Sequence, residues 1–155
     1  GRVSIIIEIK QGSFESPAVP DGIESQICEM VEKLEMVDSV LISSFEHSFF
    51  ARIQRWYRNQ RKSTLPKIAP LQEVHLSEEL ALALCLRQGA FSYHPDESFV
   101  TQSLIDKLKK NGFRIFPYTI NEEKRMEQLI QWGVTGIISD EPELVWKAIH
   151  KLGVN

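Results

Sequence analysis

Short apolar runs of strand length alternate with segments of helical period along the whole chain, and few folds tolerate that order. Val3 to Lys10, Ser39 to Phe45, Lys67 to Val74, Ala90 to Tyr93, Phe113 to Ile120 and Val134 to Ser139 read as strands. Between them, Ile23, Ile27, Met30, Val31 and Leu34 recur on one helical stripe, as do Phe49, Phe50, Ile53, Trp56 and Tyr57. Further helices are predicted over 78–87, from Val100 through Leu108, over 122–131 and over 143–151. Six strands and six helices in alternation require a parallel sheet with right-handed helical crossovers. The first run, Val3-Ser-Ile-Ile-Ile7, is dense enough in isoleucine for burial on both faces. The third strand is weaker, because Pro70 removes a ladder donor.

Helix ends are also marked. Asp21 stands three residues before Glu24, a capping-box spacing. Gly89, Gly112 and Gly133 follow helical segments, where glycine suits the left-handed cap. Thr119, Asn121 and Asp140 are placed to start the helices that follow them.

Such a sheet is either doubly wound or part of a (β/α)8 barrel. No glycine-rich phosphate fingerprint follows any strand, which weakens the dinucleotide-binding version. Polar residues collect instead where strands end: Glu8 and Lys10, Ser43 and Ser44, His94, Thr119 and Asn121, Ser139 and Asp140. In a barrel those ends share one face, the face on which active sites are built. The fold class expected is therefore α/β, a (β/α)8 TIM barrel. A complete one typically runs to ~250 residues, and the 155 here carry about six βα units. The chain also enters its first apolar run by residue 3, after Gly1-Arg2, so two units are expected to lie outside it. Residues 1–155 read as a single partial barrel domain.

Composition excludes several classes. A net charge of -3 exerts no general pull on nucleic acid, and no apolar run reaches the ~20 residues of a membrane span. Arg52, Arg55, Arg58, Arg61 and Lys62, interleaved with Trp56 and Tyr57, read as a solvated helix face rather than a nucleic-acid stripe. Cys28 and Cys85 have no metal or disulfide spacing and are expected to be buried free thiols, which points to a reducing, cytoplasmic setting. His47, His75 and His150 have no partner spacing that suggests chemistry.

Glu8 and Lys10 are two apart on a strand, so both side chains face the same way. A carboxylate there can ligate Mg2+ or Ca2+, and an ammonium beside it can sit against a phosphate oxygen. The plainer alternative is an inward ion pair at a strand end, and the pattern by itself leaves both open.

Four ordered blocks resemble the later strands of glycerophosphodiester phosphodiesterases: Ile7-Glu-Ile-Lys10, Val40-Leu-Ile-Ser-Ser-Phe45, Phe116-Pro-Tyr-Thr-Ile-Asn121 and Gly136-Ile-Ile-Ser-Asp140. The resemblance implies a barrel that uses a divalent metal, Mg2+ or Ca2+, to hydrolyse a glycerophosphodiester to glycerol 3-phosphate and an alcohol. It implies that Glu8 is a metal ligand and that Lys10 contacts the phosphate. Tyr118 stands where the family usually has tryptophan and would pack on the glycerol moiety, with core aromatic as its rival role. His94, with Pro95 at the end of the 90–93 strand, would hydrogen-bond substrate or serve as a structural histidine. The family's His-Arg pair, its Glu-x-Asp pair and a further histidine do not occur in this sequence. The resemblance therefore implies strands three to eight, with no catalytic histidine in this chain. It also implies an N-terminal segment or second chain as partner, and no turnover by this portion alone. Related readings are a phospholipase C-like or lysophospholipid phosphodiesterase, and a non-catalytic partial-barrel scaffold.

Overall fold

A computed structural model of the chain describes residues 4–10 and 22–154. Five strands, β1 (Ile5–Ile9), β2 (Val40–Ser44), β3 (Lys67–Gln72), β4 (Ser92–Pro95) and β5 (Arg114–Ile115), form one parallel sheet in the order β1-β2-β3-β4-β5. Six helices, α1 (Ile23–Lys33), α2 (Ser48–Asn59), α3 (Glu78–Gln88), α4 (Gln102–Lys110), α5 (Glu123–Gln131) and α6 (Pro142–Leu152), alternate with the strands as far as α5, and α6 follows α5 with no strand between. Neighbouring strands in space are neighbours in sequence, as successive right-handed βα units demand. Each unit therefore adds its strand C-terminus to the same end of the sheet.

Side-chain alternation divides the sheet into two faces. Ile9, Val40 and Ile42 pack with Ile27, Val31, Phe49 and Ile53 on the helix side of β1 and β2. Tyr93 and Ile115 do the same against α3, α4 and α5, where Leu84, Leu104, Ile105, Met126 and Leu129 complete the core. Leu41, Ser43, Ala69, Leu71, Ser92 and His94 are buried but belong to neither helix-side cluster. They are the opposite, inner face.

Three expectations need correction. Val134 to Ser139 is not a strand. It runs beside β5 and its extension through Thr135 N–H to Ile115 O (3.1 Å), Ile138 N–H to Pro117 O (3.0 Å) and Ile120 N–H to Ile138 O (3.0 Å). Pro117 has no N–H to contribute, and Gly136 is pressed against the Phe116 ring, so no regular ladder forms. Second, β1 is not buried on both faces: Ile5 is 43 % and Ile6 48 % exposed, because among the described residues β1 is an edge strand paired only with β2. Third, several helix starts differ. Gly22 caps α1, with no side-chain cap, and the Glu24 carboxylate pairs with Arg52 at 3.2 Å; Asp21 lies outside the described residues. Glu122 and Glu141 occupy the cap positions of α5 and α6, which frees Asn121 and Asp140 for each other. Thr119 precedes those caps and starts no helix.

Other expectations match. Gly89 takes the left-handed cap conformation at φ 65°, and both cysteines are free and buried, their thiols pushed up to about 12 chiefly by that burial. Of the basic residues on and just after α2, Arg52 and Lys62 are engaged, by Glu24 and by Glu32 at 2.7 Å, while Arg55, Arg58 and Arg61 are exposed. Among the described residues, no helix is long and apolar enough to cross a membrane.

Candidate functional site

The C-terminal ends of the strands gather Glu8, Lys10, Phe45, Glu73, Asp96 and Tyr118. Glu8 pairs in register with Ser43 of β2, on the inner face. One residue on, the Ser44 hydroxyl donates to the Ile9 carbonyl at 2.7 Å, fixing the end of β1 beside β2. Lys10 Nζ lies 3.4 Å from Glu8 Oε1, with side-chain exposures of 77 % and 35 %. The pair is thus presented to solvent at the mouth rather than sealed inside. An exposed ion pair contributes little to stability, so folding alone gives little reason for it.

Tyr118 enters from the other end of the sheet. Its N–H donates to Pro95 O at 3.1 Å, and its carbonyl accepts from Glu97 N–H at 2.9 Å, which continues the β4–β5 pairing past β5. The Phe45 ring stands against it with centroids 5.8 Å apart and planes at 87°. Among the described residues the phenol has no hydrogen-bond partner, and its pKa is pushed up to about 12, first by burial and then by the carboxylates of Asp96, Glu73 and Glu8. Glu8 at the end of β1 and Tyr118 beyond β5 both stand at the C-terminal ends of the strands. The residues Glu8, Lys10 and Tyr118 singled out from sequence therefore share one region.

His94 lies elsewhere. It is fully buried in the inner wall, where Nε2 is 2.9 Å from Ser92 Oγ and the Phe116 ring stands 5.3 Å away at 87°. Burial lowers its pKa to about 4, so the imidazole is neutral at physiological pH.

Glu73 and Asp96 were not evident as site residues, yet their signal was period two. Each lies two positions beyond an inner-face residue, Leu71 and His94, as Tyr118 lies two beyond Phe116. A second polar link ties the loops after β5 and before α6. Asn121 Oδ1 accepts from Ser139 Oγ (3.2 Å) and Asp140 N–H (3.0 Å), and its Nδ2 donates to Asp140 Oδ2 at 2.9 Å. Asp140 therefore orients a neighbour instead of capping α6.

The donor set bears on a metal. Magnesium and calcium need six or more oxygen ligands. Among the described residues, no group of three metal-ligating side chains converges. Glu8 is accessible and suited to one coordination position, but these residues do not form a complete cation site.

Comparison with known proteins fits this geometry. The model of the glycerophosphoryl diester phosphodiesterase family matches residues 2–144. A glycerophosphodiester phosphodiesterase of Caldanaerobacter subterraneus subsp. tengcongensis is 30 % identical over 147 residues, covering 95 % of this chain and 56 % of that protein. One from Bacillus subtilis is 25 % identical over 140 residues, covering 86 % of this chain and 46 % of the relative. The chain thus spans about half the length of the curated relatives it matches. Among solved structures, a glycerophosphodiester phosphodiesterase from Parabacteroides distasonis superposes with a TM-score of 0.75 at 20 % identity, covering 97 % of this chain and 58 % of that one. A phosphodiesterase from Oleispira antarctica, solved with the product sn-glycerol-3-phosphate, gives 0.63 at 20 % identity over 84 % of this chain and 51 % of its own. These likenesses establish the fold as part of a (β/α)8 barrel. The chain belongs to the glycerophosphoryl diester phosphodiesterase family.

Proposed function

We propose that the protein containing this chain hydrolyses glycerophosphodiesters to glycerol 3-phosphate and an alcohol, with Glu8 and Lys10 at the reacting phosphate. The observation that carries the reading is the Glu8–Lys10 pair, open to solvent at the strand ends, in a chain matched by the family over 2–144.

Lys10 brings a cation to the phosphate. Its ammonium, already 3.4 Å from Glu8 Oε1, can turn to a phosphate oxygen and offset the charge that grows there as water attacks phosphorus. Glu8 would give one oxygen to Mg2+ or Ca2+, with the remaining ligands supplied from outside the described residues. Such a cation, when bound, polarises the phosphoryl oxygen. The half-buried Tyr118 ring would flank the glycerol carbons, held upright by Phe45. His94 would support the site from below, as a neutral group locked to Ser92. The histidines that move protons in the family have no counterpart motif in this sequence, so the proton steps belong to residues outside this chain.

The test is hydrolysis of glycerophosphocholine by the intact protein. Glu8→Gln keeps the shape of the side chain and removes its charge, and should lower kcat/KM by roughly 100-fold or more. Lys10→Ala should lower it on the order of 10- to 100-fold, with sn-glycerol 3-phosphate binding weakened in step. Rates near wild type for either variant would remove that residue from the site.

A further inference from the structure

We propose that Arg125 is a positioning residue: from the first turn of α5 it fixes the loop after β4, and through that loop the place of Tyr118 at the mouth. The inference rests on the function proposed above, in which the Tyr118 ring flanks the glycerol carbons, and adds a residue that acts on the ring without touching substrate.

The guanidinium grips one loop at several points. Arg125 Nε donates to Glu97 Oε2 at 3.1 Å, and Nη2 donates to the main-chain carbonyls of Glu97 (2.7 Å) and Val100 (3.4 Å). Nη1 donates to Gln128 Oε1 at 2.5 Å, and the guanidinium carbon lies 5.3 Å from the centre of the Trp132 ring. Gln128 is on α5 and Trp132 closes it, so the side chain is aligned by its own helix before it meets the loop. That helix is seated in turn by Met126 and Leu129, both fully buried. A charged donor makes the stronger kind of hydrogen bond, and a planar fork can hold a carboxylate and a carbonyl together.

The loop passes this restraint to Tyr118 through a single residue. Glu97, whose carbonyl and carboxylate Arg125 holds, donates its own N–H to Tyr118 O at 2.9 Å, and Tyr118 N–H donates to Pro95 O at 3.1 Å. Both main-chain polar groups of Tyr118 are therefore engaged by 95–97. The side chain has no comparable anchor: among the described residues its hydroxyl is without a hydrogen-bond partner, and its ring meets Phe45 edge-on. Where the ring stands is set by its backbone, and where that backbone stands is set by Glu97. Left to itself the loop is one turn of 3-10 helix, Glu97–Phe99, and so short a turn holds its shape weakly. Packing of a ring on glycerol is made in the ground state and the transition state alike, so displacing the ring should raise KM more than it lowers kcat.

The experiment is a double-variant cycle on the intact protein with glycerophosphocholine, run below the unfolding transition of every variant. Arg125→Gln should raise KM about three- to tenfold with kcat within about twofold, and Tyr118→Leu should raise KM at least as much. The double variant should be no worse than Tyr118→Leu alone, because Arg125 then has no ring to position. Arg125→Lys keeps the charge without the fork and should recover part of the loss. A second readout needs no turnover. With fluorotyrosine incorporated, the fluorine resonance that Tyr118→Phe removes should be displaced in Arg125→Gln, while that of Tyr57 on α2 stays in place. Glu97→Gln weakens the fork, keeps the main-chain bonds, and should give the same pattern in smaller measure; it serves if Arg125→Gln does not fold. KM effects of Arg125→Gln and Tyr118→Leu that simply multiply, or a Tyr118 resonance unmoved in both Arg125→Gln and Glu97→Gln, overturn the proposal. Absence of hydrolysis, or a normal KM in Tyr118→Leu, with that resonance still displaced in Arg125→Gln, would instead sink the proposed reaction or the role of the ring in it and leave the brace standing.

Discussion

His94 is completely buried, with one ring nitrogen engaged by Ser92 and Nδ1 without a partner among the described residues. Burial holds its pKa near 4, against an ordinary value of 6.5. The folded chain therefore keeps the imidazole neutral where the unfolded chain would protonate it. Stability from this residue is complete above about pH 6.5 and is lost as pH falls toward about 4, where the deficit levels off at roughly 3 kcal/mol. Urea denaturation between pH 7 and pH 4 should show that loss. The double variant Ser92→Ala/His94→Leu, which removes both polar partners, should flatten this part of the profile, and an unchanged slope would refute the assignment. Gly136 poses a steric case at the same scale. A Cβ there would meet Phe116 Cδ1 at 2.5 Å and Cε1 at 2.6 Å. The ring cannot swing aside freely, because its other neighbour is His94. Gly136→Ala should cost about 1–3 kcal/mol by chemical denaturation, and adding Phe116→Leu should recover part of it.

At the scale of elements, caps do much of the work of stopping and starting helices. Ser77 Oγ accepts from Leu80 N–H at 3.3 Å at the head of α3, and Thr101 Oγ1 from Leu104 N–H at 3.1 Å at the head of α4. Gly89 ends α3 at φ 65° with no heavy atom within 4 Å of where a Cβ would lie. Gly89→Ala should therefore lower stability by about 1 kcal/mol from backbone conformation alone. Ser77→Ala should cost a similar ~1 kcal/mol, and calorimetry of the pair should show near-additive shifts, since the two sites lie at opposite ends of the helix. Gly89 and the α3 boundary were legible because a glycine after an apolar repeat has one main structural use. The identity of all six helices and of β1 to β5 was legible for a similar reason: period 2 and period 3.6 are local properties. What was not legible depended on contacts distant in sequence. Asn121 reads as a cap until Asp140, nineteen residues later, is placed beside it. Val134 to Ser139 reads as a strand because its composition is right, and its neighbours Pro117 and Phe116, distant in sequence, spoil the ladder. The Glu8–Lys10 pair was visible from its spacing, whereas Glu73 and Asp96 became visible only once β3, β4 and Tyr118 stood side by side.

Across the whole molecule, the sheet has two ends, β1 on one side and the 134–139 segment beyond β5 on the other. A closed barrel has no edge, whereas an open parallel sheet presents unpaired backbone donors and acceptors at both ends. Here the β1 end also presents apolar side chains: Ile5 at 43 % exposure on the helix-facing side and Ile6 at 48 % on the inner side. Apolar exposure on both faces of an unpaired edge is a strong template for pairing with another chain. The 155-residue chain on its own should therefore associate with rising concentration, seen by sedimentation velocity. Ile6→Lys places a charge on the inner face of that edge without touching the helix-side cluster around Ile9 and Ile42. It should shift the chain toward monomer while leaving the far-ultraviolet circular dichroism unchanged. If the unmodified chain sediments as a monomer at every concentration, or if Ile6→Lys associates as strongly, the β1 edge is not the surface that pairs.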